Sequence, residues 1–355
     1  MRSLPTATTP SCLMIYLVIT LSFILFATPS TQAAPPAEST PTSKEHNQRI
    51  DIDSEKYREL FAELIDTHGF EQNQLRRLFA GVTLSPTVLS LIDNQQPTSS
   101  FNFYLKLIFT PAIIEVAKQQ LTDHKLLLDN IETEFGVDRE YIIAIWAIET
   151  RFGQNTGKYN VFQTLNTLFD AYPRRSQFFK NQLVHFLLLC RENSIEPKTV
   201  KGSYAGAFGQ TQFIPSSFRE FAVSFDGDTK RDVFTSVPDI LASIANYLKR
   251  HHWVLDGPVF ADLGKNLKSE LLVDTYMKGS KGRISWQQLS ENQQKQLPHP
   301  PDNKPLTIIG LEVSPLLGGG KRYFAAYTNF RAITAWNHSN RYAMAVSQLA
   351  MALAR

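Results

Sequence analysis

The sequence predicts a mainly α fold, α+β in detail, in which a helical body is interrupted by one small, partly β insertion. Three observations predict it. Apolar residues recur at three- and four-residue spacing from about residue 49 to about residue 253, the period of a helix that buries one face. Helix start and stop signals punctuate that stretch, among them Ser85-Pro86, Thr110-Pro111, Gly69 and Gly136. After Trp253 the chain turns polar and broken, and PLTIIGLEV (305–313) and RYFAAYTNF (322–330) read as strands across the turn Gly318-Gly319-Gly320.

At 355 residues, 43% hydrophobic and 19% charged, the chain is long and apolar enough for a substantial core. A formal charge of +3 gives no argument for nucleic acid. The 24 Phe, 12 Tyr and 4 Trp suit either an aromatic core or a carbohydrate groove.

The first elements are targeting segments. Arg2 precedes LMIYLVITLSFILFA (13–27), an apolar run of 15, short for a membrane span and suited to an export signal. TPSTQAA then offers small residues before a cut after Ala33 or Ala34. Residues 1–33 therefore read as a cleaved signal, with an uncleaved inner-membrane anchor as the alternative, and the Pro/Ser/Thr-rich 34–48 as a flexible tether. Cys12 lies ahead of the apolar run, where a lipoprotein cysteine would not be. Once the signal is removed, Cys190 in FLLLC is a lone, buried, inert thiol. No Cys/His cluster has metal-ligand spacing, so no metal and no cofactor is expected.

The helices follow in order. SEKYRELFAELIDTHG is one, capped by Ser54 and stopped at Gly69. SPTVLSLID and the long TPAIIEVAKQQLTDHKLLLDNIETEFG each open on a cap followed by Pro. Another begins at Pro173 and runs to Cys190. Ser217 with Glu220, and Ser236 with Asp239, have capping-box spacing, and the second helix closes on Lys249, Arg250, His251 and His252, where its dipole favours cations. The C-terminal NHSNRYAMAVSQLAMALAR returns to helix.

One helix carries chemistry. AIWAIETRFG (144–153) opens near its N-cap Asp138 and is expected to stop near Gly153, which puts Glu149 in its last turn. The residues at i±3 and i±4 are Ile145, Trp146, Phe152 and Gly153, with no cation among them. Apolar surroundings and the negative helix end both favour the protonated form, so Glu149 is a candidate general acid. The helix alone leaves open a buried Glu bonded to a distant amide or arginine. A second stretch, KGSYAGAFGQTQFIPSSF (201–218), joins glycines and alanines to Ser203, Gln210 and Gln212. It reads either as a backbone able to approach sugar hydroxyls and acetamido groups, or as a tight structural loop.

Taken together, IETRFG, YPRRSQFF, KGSYAGAFGQTQFIPSSF, FDGD…ANYLKRHHW and ITAWNHSNRYAMAV, in this order, resemble the lytic murein transglycosylase B family from residue 49 to the C-terminus. The resemblance implies a lysozyme-like core and a peptidoglycan lyase that cleaves between N-acetylmuramic acid and N-acetylglucosamine, leaving a 1,6-anhydro end. It implies that Glu149 is the sole acid/base, that Arg174 and Arg175 line the groove, and that Ser203, Gln212, Phe213, Tyr247, Trp336, Asn337 and Tyr342 contact sugar. Trp336 stands where the family pattern leads one to expect tyrosine. The resemblance also implies a monomer in the periplasm, with glycan strands and cell-wall synthesis or remodelling proteins as partners. Three other acids, Glu132, Asp170 and Asp226, could approach in space, so a hydrolysing muramidase on the same fold stays open, as does a non-catalytic peptidoglycan-binding protein. SFDGDTKRD (224–232) looks like the acidic calcium loop of some relatives, but Ser224, Thr229 and Thr235 occupy its most demanding positions, and no tight calcium site is expected.

Overall fold

The computed structural model describes residues 48–94, 109–313 and 319–354, so the signal and most of the tether lie outside the described residues. Gln48 is already anchored, its carbonyl accepting from the Leu84 amide while the Ile50 amide donates to Val82. Among the described residues there are fourteen α-helices: α1 Glu55–Ala62, α2 Gln72–Phe79, α3 Pro86–Asp93, α4 Pro111–Asp123, α5 Lys125–Phe135, α6 Arg139–Thr150, α7 Val161–Ala171, α8 Ser176–Glu192, α9 Pro215–Phe221, α10 Val237–Arg250, α11 Glu270–Met277, α12 Glu291–Gln296, α13 Thr328–Trp336 and α14 Asn340–Leu353. No helix among them is long and apolar enough to cross a membrane.

The mainly α class and the small β segment are both present. A two-residue ladder pairs β1 (Tyr159–Asn160) with β2 (Lys201–Gly202). A three-stranded antiparallel sheet has the order β3 (Phe260–Gly264), β5 (Lys321–Ala326), β4 (Thr307–Glu312). The β4–β5 register runs from Thr307 opposite Ala326 to Glu312 opposite Lys321. Side chains alternate across this sheet, with Ile309, Leu311 and Phe324 in the main core and Ile308 and Ala325 in a second, smaller core with Leu272, Ile284 and Leu289. Burial on both faces is why the strand text is apolar without a clean alternation.

Local signals predicted most helix starts and several details changed. Ser85 and Thr110 accept from the amides of Val88 and Ile113, as N-caps do. Ser54 occupies an N-cap position, but its hydroxyl donates to the Asp51 carbonyl, and the helix after it ends in a π turn, Glu63–Thr67, ahead of Gly69. The long helix from Thr110 to Gly136 is two, divided at His124. The PRR of residues 173–175 is a 3-10 turn, with α8 starting at Ser176. Ser217 is not a cap: Pro215 sets the start of α9 two residues earlier. Ser236 does cap α10, but Asp239 faces the preceding loop and accepts from the amides of Phe225 and Asp232, so no reciprocal box forms. RYFAAYTNF is strand only to Ala326, since Thr328 opens α13, and β3, α11 and α12 lie in text that read as irregular.

Candidate active site

Glu149 is the penultimate residue of α6 and is 8% exposed. The helix ends at Thr150, earlier than Gly153, because Arg151, Phe152 and Gly153 all take left-handed backbone, with φ of 50, 58 and 82°. Two consecutive non-glycine residues there cost about 1–2 kcal/mol each, so the surroundings must hold the turn. Thr150 Oγ1 accepts from the Gly153 amide at 3.1 Å and donates to the Gln210 carbonyl at 3.1 Å. Gln210 Oε1 accepts from the Trp146 indole at 2.8 Å, and its amide nitrogen donates to the Phe234 carbonyl at 2.8 Å. A Cβ on Gly153 would come within 2.5 Å of that Gln210 oxygen. Gln210 therefore locks the loop to the end of α6 through both ends of its side-chain amide.

The carboxyl is met from the corner between α13 and α14. Ser339 caps α14, its hydroxyl accepting from the Tyr342 amide at 3.3 Å. This fixes the first turn of α14 against α6, and the Tyr342 hydroxyl donates to Glu149 Oε1 at 2.6 Å. Trp336, the last residue of α13, adds a second side-chain hydrogen bond to the same carboxyl. Both donors favour the ionised form, but desolvation is larger, and the Glu149 pKa is pushed up to about 7. No acidic or cationic side chain contributes among the described residues.

An aromatic wall adjoins the carboxyl. Trp336 packs 4.9 Å from Phe213 and 4.6 Å from Tyr247, between ring centroids, and Tyr247 stacks on His251 at 4.2 Å. Phe213 and Tyr247 are buried, so Trp336, half-buried, is the ring of this trio with most surface to offer a sugar.

Beside the wall stand two buried acceptors. Gln212 has left-handed backbone, with φ 51°, and its amide nitrogen donates to the carbonyls of Thr156 and Gly209. Its Oε1, like Asn337 Oδ1 next to Trp336, is buried without a hydrogen-bond partner among the described residues. Each such acceptor costs about 1–3 kcal/mol until a donor arrives.

The remaining expected residues are placed differently. Ser203 is fully buried, and its hydroxyl accepts from the amides of Ala205 and Ala207, bracing its own loop. The glycines serve that loop too: a Cβ on Gly202 would overlap the Ala207 carbonyl, and one on Gly209 the Val233 side chain. Arg175 lies across the Phe178 ring at 4.0 Å and Arg174 is exposed, both in the 173–175 turn.

The other acids are committed elsewhere. Glu132 pairs with Arg139, and Asp226 accepts from Ser236 and from the Asp228 amide. Asp170, near the end of α7, has its backbone carbonyl accepting from the Lys56 ammonium at 2.8 Å, and after burial it is the second cause of the raised Tyr57 pKa. In the 224–235 loop Asp228 and Asp232 accept from nearby backbone amides, and no group of three metal-type ligands forms among the described residues. Asp138 stands at the N-cap of α6, but its carboxylate accepts from the Trp253 indole at 2.6 Å and the Asp256 amide at 3.2 Å. Cys190 is buried, and burial pushes its thiol up to about 12. The link Trp146–Gln210–Phe234 escaped sequence reasoning, since its partners are 64 and 24 residues apart.

The sequence profile of the transglycosylase SLT domain matches residues 53–351. The chain is 32% identical over 308 residues to the membrane-bound lytic murein transglycosylase B of Escherichia coli, covering 82% of this chain and 80% of that one. The E. coli lytic transglycosylase Slt35 in complex with bulgecin A superposes with a TM-score of 0.74 at 31% identity, over 89% of this chain and 98% of that one. SltB3 from Pseudomonas aeruginosa, in complex with NAG-anhNAM-pentapeptide, gives 0.67 at 32% identity, over 83% and 78%.

Proposed function

Since the chain belongs to the transglycosylase SLT domain family and is a lytic murein transglycosylase with a lysozyme-like helical fold, we propose that Glu149 is its sole general acid/base and that the products carry 1,6-anhydro-muramyl ends. The observation that carries this reading is a buried carboxyl at the end of α6, met by the Tyr342 and Trp336 donors and with its pKa pushed up by burial to about 7. Protonated Glu149 gives its proton to the glycosidic oxygen between N-acetylmuramic acid and N-acetylglucosamine as the C1–O bond breaks. The carboxylate so formed is what the Tyr342 and Trp336 donors stabilise. The muramyl C6 hydroxyl then bonds to C1 and returns its proton to Glu149, so one C–O bond replaces another and no water is consumed. An intramolecular hydroxyl at high effective concentration removes the need for a second carboxylate. Glu132 and Asp226 being held by other partners agrees with a one-acid scheme.

In the same reading Trp336, Phe213 and Tyr247 form the sugar wall, with Trp336 presenting its face. Gln212 Oε1 and Asn337 Oδ1 accept from acetamido N–H or hydroxyl groups of the glycan. Ser203 acts through the loop it braces, and Arg174 and Arg175 meet the carboxylates of the lactyl-peptide arm. Peptidoglycan strands are the substrate, with cell-wall synthesis or remodelling proteins as further partners of a monomer. Residues 1–33 are an export signal and 34–48 a tether, and the catalytic region 49–355, with its insertion at about 254–330, works in the periplasm.

Glu149→Gln keeps the side chain's shape and removes its proton. Clearing of purified peptidoglycan should fall by about 10²–10⁴-fold. Equal clearing by both proteins sinks the acid/base assignment, and an inactive wild type favours a non-catalytic binding protein.

A further inference from the structure

Away from Glu149, α2, the C-terminal end of α8 and the segment 194–198 enclose a hollow of about 440 Å³, within the range of small-ligand sites. Its floor is apolar, with Leu75, Leu187 and Ile195. Arg77, Arg191 and Lys198 stand on its rim, and none of them is ion-paired among the described residues. The rim's one acid, Glu196, accepts from the Lys198 amide at 3.3 Å and its charge reaches Cys190 in the lining, so three cations stand against one carboxylate.

Arg191 is already fixed. Its guanidinium lies over the Phe70 ring at 4.2 Å and donates one N–H to the His68 carbonyl at 2.8 Å. Stacking and that single bond set the plane of the fork and leave other N–H groups for a planar anion. An apolar floor under a pre-set cationic rim fits a small amphipathic carboxylate.

We infer that this hollow is a second binding site, for the free carboxyl end of a short peptide with small apolar side chains, such as a peptidoglycan stem presents. Only the choice of a stem peptide rests on the transglycosylase reading. The segment 194–198 leads directly into β2 and the loop 202–213, which places the site one short stretch of chain from Gln210 and Gln212.

The test uses the full chain carrying Glu149→Gln, so that nothing is turned over, and follows the Ile195 methyl signal by NMR. N-acetyl-D-alanyl-D-alanine should shift it saturably, and its C-terminal amide should bind about ten-fold more weakly. Arg191→Gln should weaken the acid about ten-fold, and Lys198→Gln, a surface change that spares the Phe70 stack, about three-fold. No Ile195 shift, or equal binding of acid and amide, or indifference to both substitutions, overturns the site. Tighter binding of hexanoate than of the dipeptide overturns the peptide assignment in favour of a lipid carboxylate. Should the shift appear while the wild type fails to cleave peptidoglycan, the site stands and the transglycosylase reading falls.

Discussion

At Glu149 desolvation and hydrogen bonding pull in opposite directions, and desolvation is the larger, which leaves the carboxyl titrating at about 7. In the proposed mechanism the acid form starts the reaction, so the rate should decline as pH rises through about 7; a flat profile between pH 5 and 9 would contradict this. Tyr342→Phe removes a donor that favours the ionised form, so the alkaline limb should move to higher pH while the maximal rate falls about ten-fold. An unmoved limb would show that Tyr342 only packs. The same proton is linked to stability. Because the folded pKa lies above the usual carboxylate value of 4.5, the contribution is full below 4.5 and is lost as pH rises through about 7. Urea titrations should therefore find Glu149→Gln gaining on the wild type by roughly 2–3 kcal/mol between pH 5 and pH 8. A constant difference would deny the shift. Glu149 was legible because its apolar neighbours lie at helical spacing, and Trp336 and Tyr342 only through motif resemblance. That both rings meet the carboxyl itself depends on the corner between α13 and α14, which no local pattern encodes.

Among elements, the end of α6 is the one the proposed chemistry depends on. Gly153→Ala places a methyl against Gln210 at a backbone angle of φ 82° and should cost about 1–3 kcal/mol in thermal or urea unfolding. It should also lower turnover by loosening Gln210 from Trp146, whereas full stability would mean that the turn relaxes freely. The capping of α3, α4 and α10 was legible because a side chain and an amide three residues apart suffice. Ser217 with Glu220 has the same spacing inside α9, where Pro215 overrides it. Strand β3 was not legible, because its five residues FADLG gain order only by pairing with β5, sixty residues on. The break at His124 likewise leaves no mark, since the apolar period continues across it.

Over the whole molecule, a helical body holds the acid and a sheet with its own small core is attached beside it. The β segment announced itself by a change of composition after Trp253, while its internal folding, with one sheet face in each core, required the structure. The proposed mechanism asks the assembled site to cleave with one acid and no activated water. It is tested most directly by the mass of the muropeptides that the purified chain releases from intact peptidoglycan. Muramyl ends one water lighter than hydrolysed reducing ends are the predicted result, and reducing ends of full mass would contradict it.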